Sequence, residues 1–242
     1  THFLLKETGY TANGYYGLVA SCLLEAGILP ADDPRTDLLV DMLRRKGGLV
    51  LGVCQFFDMI DHAYTYGYWN ICFERDEIER VILGLYGSMA HGMTHDTYSA
   101  VECTQIRTGA NYWTLPHTYS NTKQVRLLRN MLVLERDKDL LLAWAAPRPW
   151  LAGGKRLAVK EAPTRFGPVS YVIEPETGGS TIGVHLQPPT RNAPDHIRLR
   201  LRHPNKRDIA AVDADPKVPL TFEGDTITLP KLGSPVDLTV RY

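Results

Sequence analysis

The sequence predicts an α+β chain of two domains: helical hairpins over residues 1–136, then an antiparallel β-sandwich over residues 137–242. Apolar residues recur at helical spacing through the first half. Beyond residue 139 the period falls to two, the mark of a sheet with one buried face. Glycine and proline turns then divide the second half into short segments, as a sandwich requires.

Residues 15–28 are apolar nearly all round, through Leu18, Val19, Cys22, Leu23, Leu24 and Ala26. They read as a helix buried between other helices. Asp33-Pro34 opens a second helix with a capping carboxylate and a proline at its first position. Leu38, Leu39, Met42 and Leu43 form its stripe, and Gly47-Gly48 stop it. A short helix is expected over residues 66–73. After Arg75-Asp76, the residues Ile78, Val81, Ile82, Leu85 and Met89 share one helix face. The last helix starts at Thr118 or Ser120. Its inward face is Val125, Leu128, Met131 and Leu132, with Arg126 and Arg129 outside.

The boundary falls near residues 135–139. Strands are expected at 139–144, 168–174, 181–187, 226–229 and 236–242. On another, Ile197, Leu199 and Leu201 alternate with Arg198, Arg200 and Arg202. Those arginines read as a solvated face, with a polyanion contact as the alternative.

About five helices are too few to cover one another's apolar faces. The expectation is therefore a partner for them: a second subunit, or a helical segment ahead of Thr1. The opening Thr1-His2-Phe3-Leu4-Leu5 has no initiator Met and no signal-peptide layout, and reads as an interior point or a processed end.

Formal net charge is zero, so no nucleic-acid partner is expected. No apolar run approaches the roughly 20 residues that span a bilayer, so neither is a membrane. Cys22, Cys54, Cys72 and Cys103 show no C-x-x-C spacing and read as buried thiols. His91 and His95 have a metal-binding spacing, but no Glu follows His91 and Gly92 breaks the helix there. No metal and no cofactor are expected. Glycine-rich phosphate loops and a G-x-S-x-G elbow are absent.

One stretch carries a resemblance. Tyr98-Ser-Ala-Val-Glu102 is followed by Trp113-Thr-Leu-Pro116, the helix at residues 126–133, and Leu140-Leu-Leu-Ala-Trp-Ala-Ala-Pro-Arg-Pro-Trp-Leu151. A Gly-Gly-Lys turn and the segment at residues 162–171 complete it. This resembles the C-terminal end of the bacterial six-hairpin, (α/α)6-toroid glycosidase-like family, where the last barrel helix runs into a β-sandwich. The resemblance implies an incomplete toroid, action on glycosidic bonds of a carbohydrate substrate, and a periplasmic or secreted location. Lyases, epimerases and non-catalytic relatives share toroids, so fold alone does not fix the activity.

Glycoside hydrolysis needs two carboxyl groups. Glu102 is the first candidate, because a Gly-Glu-Gly-like segment holds that place in the family; here Val101 and Cys103 flank it. The alternative is a structural carboxylate bonded to backbone amides. Asp58 and Asp61 stand three apart, on one face if helical. Their apolar setting after Phe56-Phe57 suits a general acid; the other reading is a pair of helix-start carboxylates. Asp96 either caps a turn or binds a hydroxyl. Tyr98, Trp113, Tyr119 and Trp69 are candidate platforms for sugar C–H faces, or else core residues. Arg107 and His117 are candidates to hold a substrate hydroxyl or carboxylate. The competing activities are a polysaccharide lyase, with Tyr98 and His95 or Tyr119 and His117 abstracting a proton, and a non-catalytic carbohydrate-binding protein.

Overall fold

The structure is a computed structural model that describes residues 11–242. The opening pentapeptide lies outside the described residues. The chain divides into two compact units, residues 1–128 and 129–242.

In the first unit, α1 (Tyr15–Glu25) and α2 (Pro34–Arg45) precede three strands, β1 (Leu49–Val50), β2 (Val53–Phe56) and β3 (Met59–Asp61). Next come α3 (Tyr66–Glu74), α4 (Ile78–Gly92), β4 (Cys103–Gln105) and β5 (Asn111–Tyr112). α5 (Thr118–Leu132) runs through the division between the units. The five strands pair in chain order as one antiparallel meander.

This corrects the toroid. Five helices among the described residues, interleaved with a five-stranded sheet, are not a ring of helical hairpins. Strands replace helices at residues 49–61 because the chain turns twice there. Gly52 (φ 75°) and Phe57 (φ 55°) are both left-handed, which interrupts any helix.

Asp33 caps α2, its Oδ1 accepting from the Arg35 amide at 2.8 Å, with Pro34 at the first helical position. Arg35 beside it pulls the Asp33 carboxyl down to about 2. α1 is not buried all round. Gly17, Leu18, Ala20, Ser21 and Leu24 face inward, while Tyr15, Tyr16, Val19 and Leu23 are exposed. α5 also differs from its predicted face: Leu127 and Met131 are buried, whereas Val125 and Leu128 are exposed.

Under the meander, Trp69 is fully buried and its indole N–H donates to the Gly52 carbonyl at 2.8 Å. Gly84 makes room for that indole: a Cβ there would sit 2.8 Å from both Cδ1 and Cε2 of Trp69. No helix among the described residues is long and apolar enough to cross a membrane.

The second unit holds two five-stranded sheets. One orders β12 (Ala211–Asp215), β15 (Val236–Arg241), β10 (Thr181–Gln187), β9 (Val169–Pro175) and β8 (Leu157–Ala162). The other orders β13 (Thr221–Glu223), β14 (Thr226–Pro230), β11 (His196–Arg200), β7 (Asp139–Leu142) and β6 (Val133–Arg136). β7 and β11 run parallel, so this sheet is mixed and not wholly antiparallel as expected. Ile197, Leu199, Ile227 and Leu229 of one sheet join Tyr171, Val184, Leu238 and Val240 of the other in a single apolar core. Each such buried side chain contributes roughly 1.5–3 kcal/mol. Alternation fails at Arg202, which lies past the end of β11. It is buried rather than solvated, and its guanidinium donates to the Ala146 carbonyl at 3.4 Å.

Candidate active site

α1, the β2–β3 hairpin and the residues next to β3, β4 and β5 line an open cleft of about 600 Å³ in the first unit. Tyr15, Leu18, Val19 and Cys22 of α1 form one wall, at helical offsets 0, 3, 4 and 7. Buried Phe56 adds to the wall, exposed Trp113 stands at the lip, and Asp61, Tyr64 and Glu102 face the same space.

The wall is a set of edge-packed rings. Tyr15 and Phe56 have centroids 5.0 Å apart at 79°, and Phe56 and Trp113 are 5.6 Å apart at 63°. Trp113 keeps 57% of its surface open and has a left-handed backbone (φ 65°). For a bulky residue that conformation costs about 1–3 kcal/mol, and such strain collects at functional sites. Tyr64, also on the cleft, packs against the exposed Tyr119 at 5.7 Å.

Strand pairing fixes Asp61. It lies opposite Cys103 in the β3–β4 register. Its Oδ1 accepts from the amides of Ala63 (2.8 Å) and Tyr64 (3.1 Å), a local turn that aspartate favours. Its Oδ2 accepts from the Cys103 thiol at 3.5 Å. Burial pushes the Asp61 carboxyl up to about 6; the two amides and the thiol pull it down, and the charge of Glu102 adds to the rise. The adjacent His62 supplies no counter-charge, because burial holds its imidazole down to about 3.

Glu102 enters the cleft just before β4. Its amide donates to the Thr114 carbonyl at 3.1 Å, and its carbonyl accepts from the His62 amide at 3.0 Å. Its Oε2 accepts from the Thr114 amide at 3.4 Å and lies 3.9 Å from Nε2 of His117. The other ring nitrogen of His117 is 2.7 Å from the hydroxyl of buried Ser120, which fixes the ring. The Glu102 side chain is 26% exposed, so it is open to a ligand.

The structure thus brings Glu102, Asp61 and Trp113 to one cleft, with His117 beside Glu102 and Tyr119 against Tyr64. Asp58 is elsewhere: it sits in the exposed β2–β3 turn, where its Oδ2 accepts from Gln105 at 3.0 Å. The two aspartates share no helix face, because a hairpin carries them. Trp69 has no open face to offer a sugar. Tyr98 and Asp96 lie on the exposed loop after α4, and Arg107 lies in the exposed β4–β5 turn. Cys22 is exposed, not buried, and no cysteine is in a disulfide. Among the described residues no cluster of three or more His, Cys, Asp or Glu has metal-holding geometry.

Phe56 and the α1 wall were missed as cleft residues. The signal for the α1 wall was the helical spacing from Tyr15 to Cys22, read as core; Phe56, on a four-residue strand, had none.

The buried charge makes stability depend on pH. The folded carboxyl of Asp61 holds its proton more tightly than the unfolded one, whose ordinary value is 3.8. Its stabilising effect is therefore complete below pH 4 and is lost as pH rises through 6. The loss is on the order of 3 kcal/mol. Urea unfolding at pH 4 and pH 7 should show that much more loss of stability in the wild type than in Asp61→Asn. Equal pH slopes in the two proteins would contradict the burial cost.

No family model and no curated protein sequence matches the chain. Among solved structures it is similar to an alpha-L-rhamnosidase from Dictyoglumus thermophilum, with a TM-score of 0.45 and 10% identity. The match covers 98% of this chain and 27% of that one, so the chain spans about a quarter of the length of that structure.

Proposed function

We propose that the first unit hydrolyses glycosidic bonds, with Glu102 and Asp61 as its carboxyl pair. One observation supports this reading above the rest: both residues line a single aromatic-walled cleft of about 600 Å³. Clefts of about 300–1,000 Å³ with apolar walls and few polar groups suit small ligands. Aromatic faces pack on the C–H faces of a pyranose, and Trp113, Tyr64 and Tyr15 supply them.

Hydrolysis needs an acid to protonate the departing oxygen and a carboxylate to activate water or attack the anomeric carbon. Asp61, pushed up to about 6, keeps its proton through the weakly acidic range. Two amides occupy Oδ1, so the proton sits on Oδ2, whose other partner is the weakly donating Cys103 thiol at 3.5 Å. Glu102 takes the second role, because it is the more open of the two and is oriented by Thr114 and His117. Keeping a carboxyl in a site that lowers stability is itself a feature of functional positions.

The test is product analysis on a panel of 4-nitrophenyl pyranosides and on a uronide polymer. A hydrolase releases nitrophenol and a hemiacetal sugar. A lyase instead forms an unsaturated uronide that absorbs in the near ultraviolet, and a binding protein forms neither; either result overturns the proposal. For a cleaved glycoside, kcat/KM should fall as pH rises through about 6, since the acid must hold its proton. In Asp61→Asn that limb should vanish, and turnover should persist best on a 2,4-dinitrophenyl glycoside, whose leaving group needs no proton. A wild-type rate that stays flat through pH 6 removes Asp61 from the acid role.

A further inference from the structure

The outer face of the mixed sheet in the second unit has more structure than a solvated surface requires. Ile197 and Leu199 of β11 turn into the core, so Arg198 and Arg200 project outward. β14 places Thr228 opposite Arg198 and Thr226 opposite Arg200. On the other side, β7 places Asp139 opposite His196. Two hollows of about 540 and 460 Å³ lie on this face, and Trp144 and Arg198 border both.

The polar heads are held in place. Arg198 Nε bonds Asp139 Oδ2 at 2.9 Å, while Oδ1 of the same carboxylate lies 3.0 Å from His196. Arg200 Nε bonds Asp225 Oδ1 at 2.9 Å, and its guanidinium lies over the Trp144 ring at 5.0 Å. Phe222, 40% exposed, adds a second ring to the smaller hollow. Fixed planar groups lose little entropy on binding, which favours recognition.

Charge selects the class of ligand. The two hollows carry four Arg or Lys side chains and five carboxylates. A polyanion finds no net attraction there. A neutral polyhydroxylated chain finds paired donors and acceptors beside aromatic rings. We propose that this face is a second glycan-binding surface, one that takes a neutral oligosaccharide along β11 and shares no residue with the first-unit cleft. It stands apart from the hydrolase reading, since it needs no turnover.

The test is native electrophoresis of the whole protein in gels containing xylan, β-glucan, galactomannan or arabinogalactan, with polygalacturonate as the anionic arm. The starting protein carries Trp113→Ala, which removes the ring at the lip of the other cleft. Retardation is expected in at least one neutral gel, with apparent affinity falling at least tenfold on adding Arg198→Ala or Trp144→Ala. Circular dichroism checks each fold. If Trp144→Ala fails to fold, Arg198→Ala decides, since that side chain is 45% exposed and outside the core. Three results overturn the proposal: no retardation in any neutral gel, retardation by polygalacturonate alone, or retardation that survives Arg198→Ala.

Discussion

Replacing Glu102 with glutamine is expected to lower kcat on an aryl glycoside about 10³-fold and leave Tm within about 2 °C. The substitution keeps the shape of the side chain. Glutamine still offers an oxygen to the Thr114 amide, which now bonds Oε2 at 3.4 Å, and the backbone clamps to Thr114 and His62 do not involve the side chain. What is lost is the negative charge that draws a proton from water or bonds to the anomeric carbon. Binding should survive, because the ring wall of Tyr15, Phe56 and Trp113 is untouched. The measurements are steady-state kinetics, a thermal melt, and calorimetric titration with the product sugar. Turnover within tenfold of wild type would remove Glu102 from the chemistry. A large fall in Tm would instead assign it the structural role of a carboxylate bonded to a backbone amide.

The local grammar of the chain was readable where it is self-contained. Asp33-Pro34 announces α2, and the cap bond is present. The alternation of Ile197 and Leu199 with arginines announces β11, because a strand with one buried face leaves a period of two. The site was less readable, since its assembly is non-local. Residues 61 and 103 are brought opposite each other by a strand pair that encloses two helices. No window of sequence contains both Asp61 and Glu102, and β1 to β5 are each only two to four residues long. Such strands are too short for a period to show. Trp69 misled for a related reason. Its type suits a sugar platform, but Gly84, fifteen positions on, lets helix α4 close over it.

Gly67→Ala is the substitution expected to damage both fold and cleft, by about 3 kcal/mol or more. Gly67 lies in the first turn of α3, where α3 packs against α1. A Cβ at this position would sit 2.6 Å from the Glu25 amide nitrogen and nearer still to the Ser21 carbonyl oxygen. Both atoms are backbone of α1, so no side chain can swing aside, and one helix must move. The contact is also bonded, because the Tyr68 amide donates to the Ser21 hydroxyl at 3.3 Å. Moving α1 displaces Tyr15, Leu18, Val19 and Cys22 together, since all four project from it into the cleft. Urea unfolding should therefore report the loss of stability, and titration with the product sugar should report weakened binding in whatever fraction stays folded. Gly178→Ala is the control: nothing lies within 4 Å of a Cβ there, and its effect should stay within about 1 kcal/mol. If Gly67→Ala matched that control, the close crossing of α1 and α3 would not be what sets the cleft wall. The same substitution at Gly84 would press on the Trp69 indole instead of on backbone. Comparing the two separates a packing cost, which both variants share, from the loss of binding, which only displacement of α1 should produce.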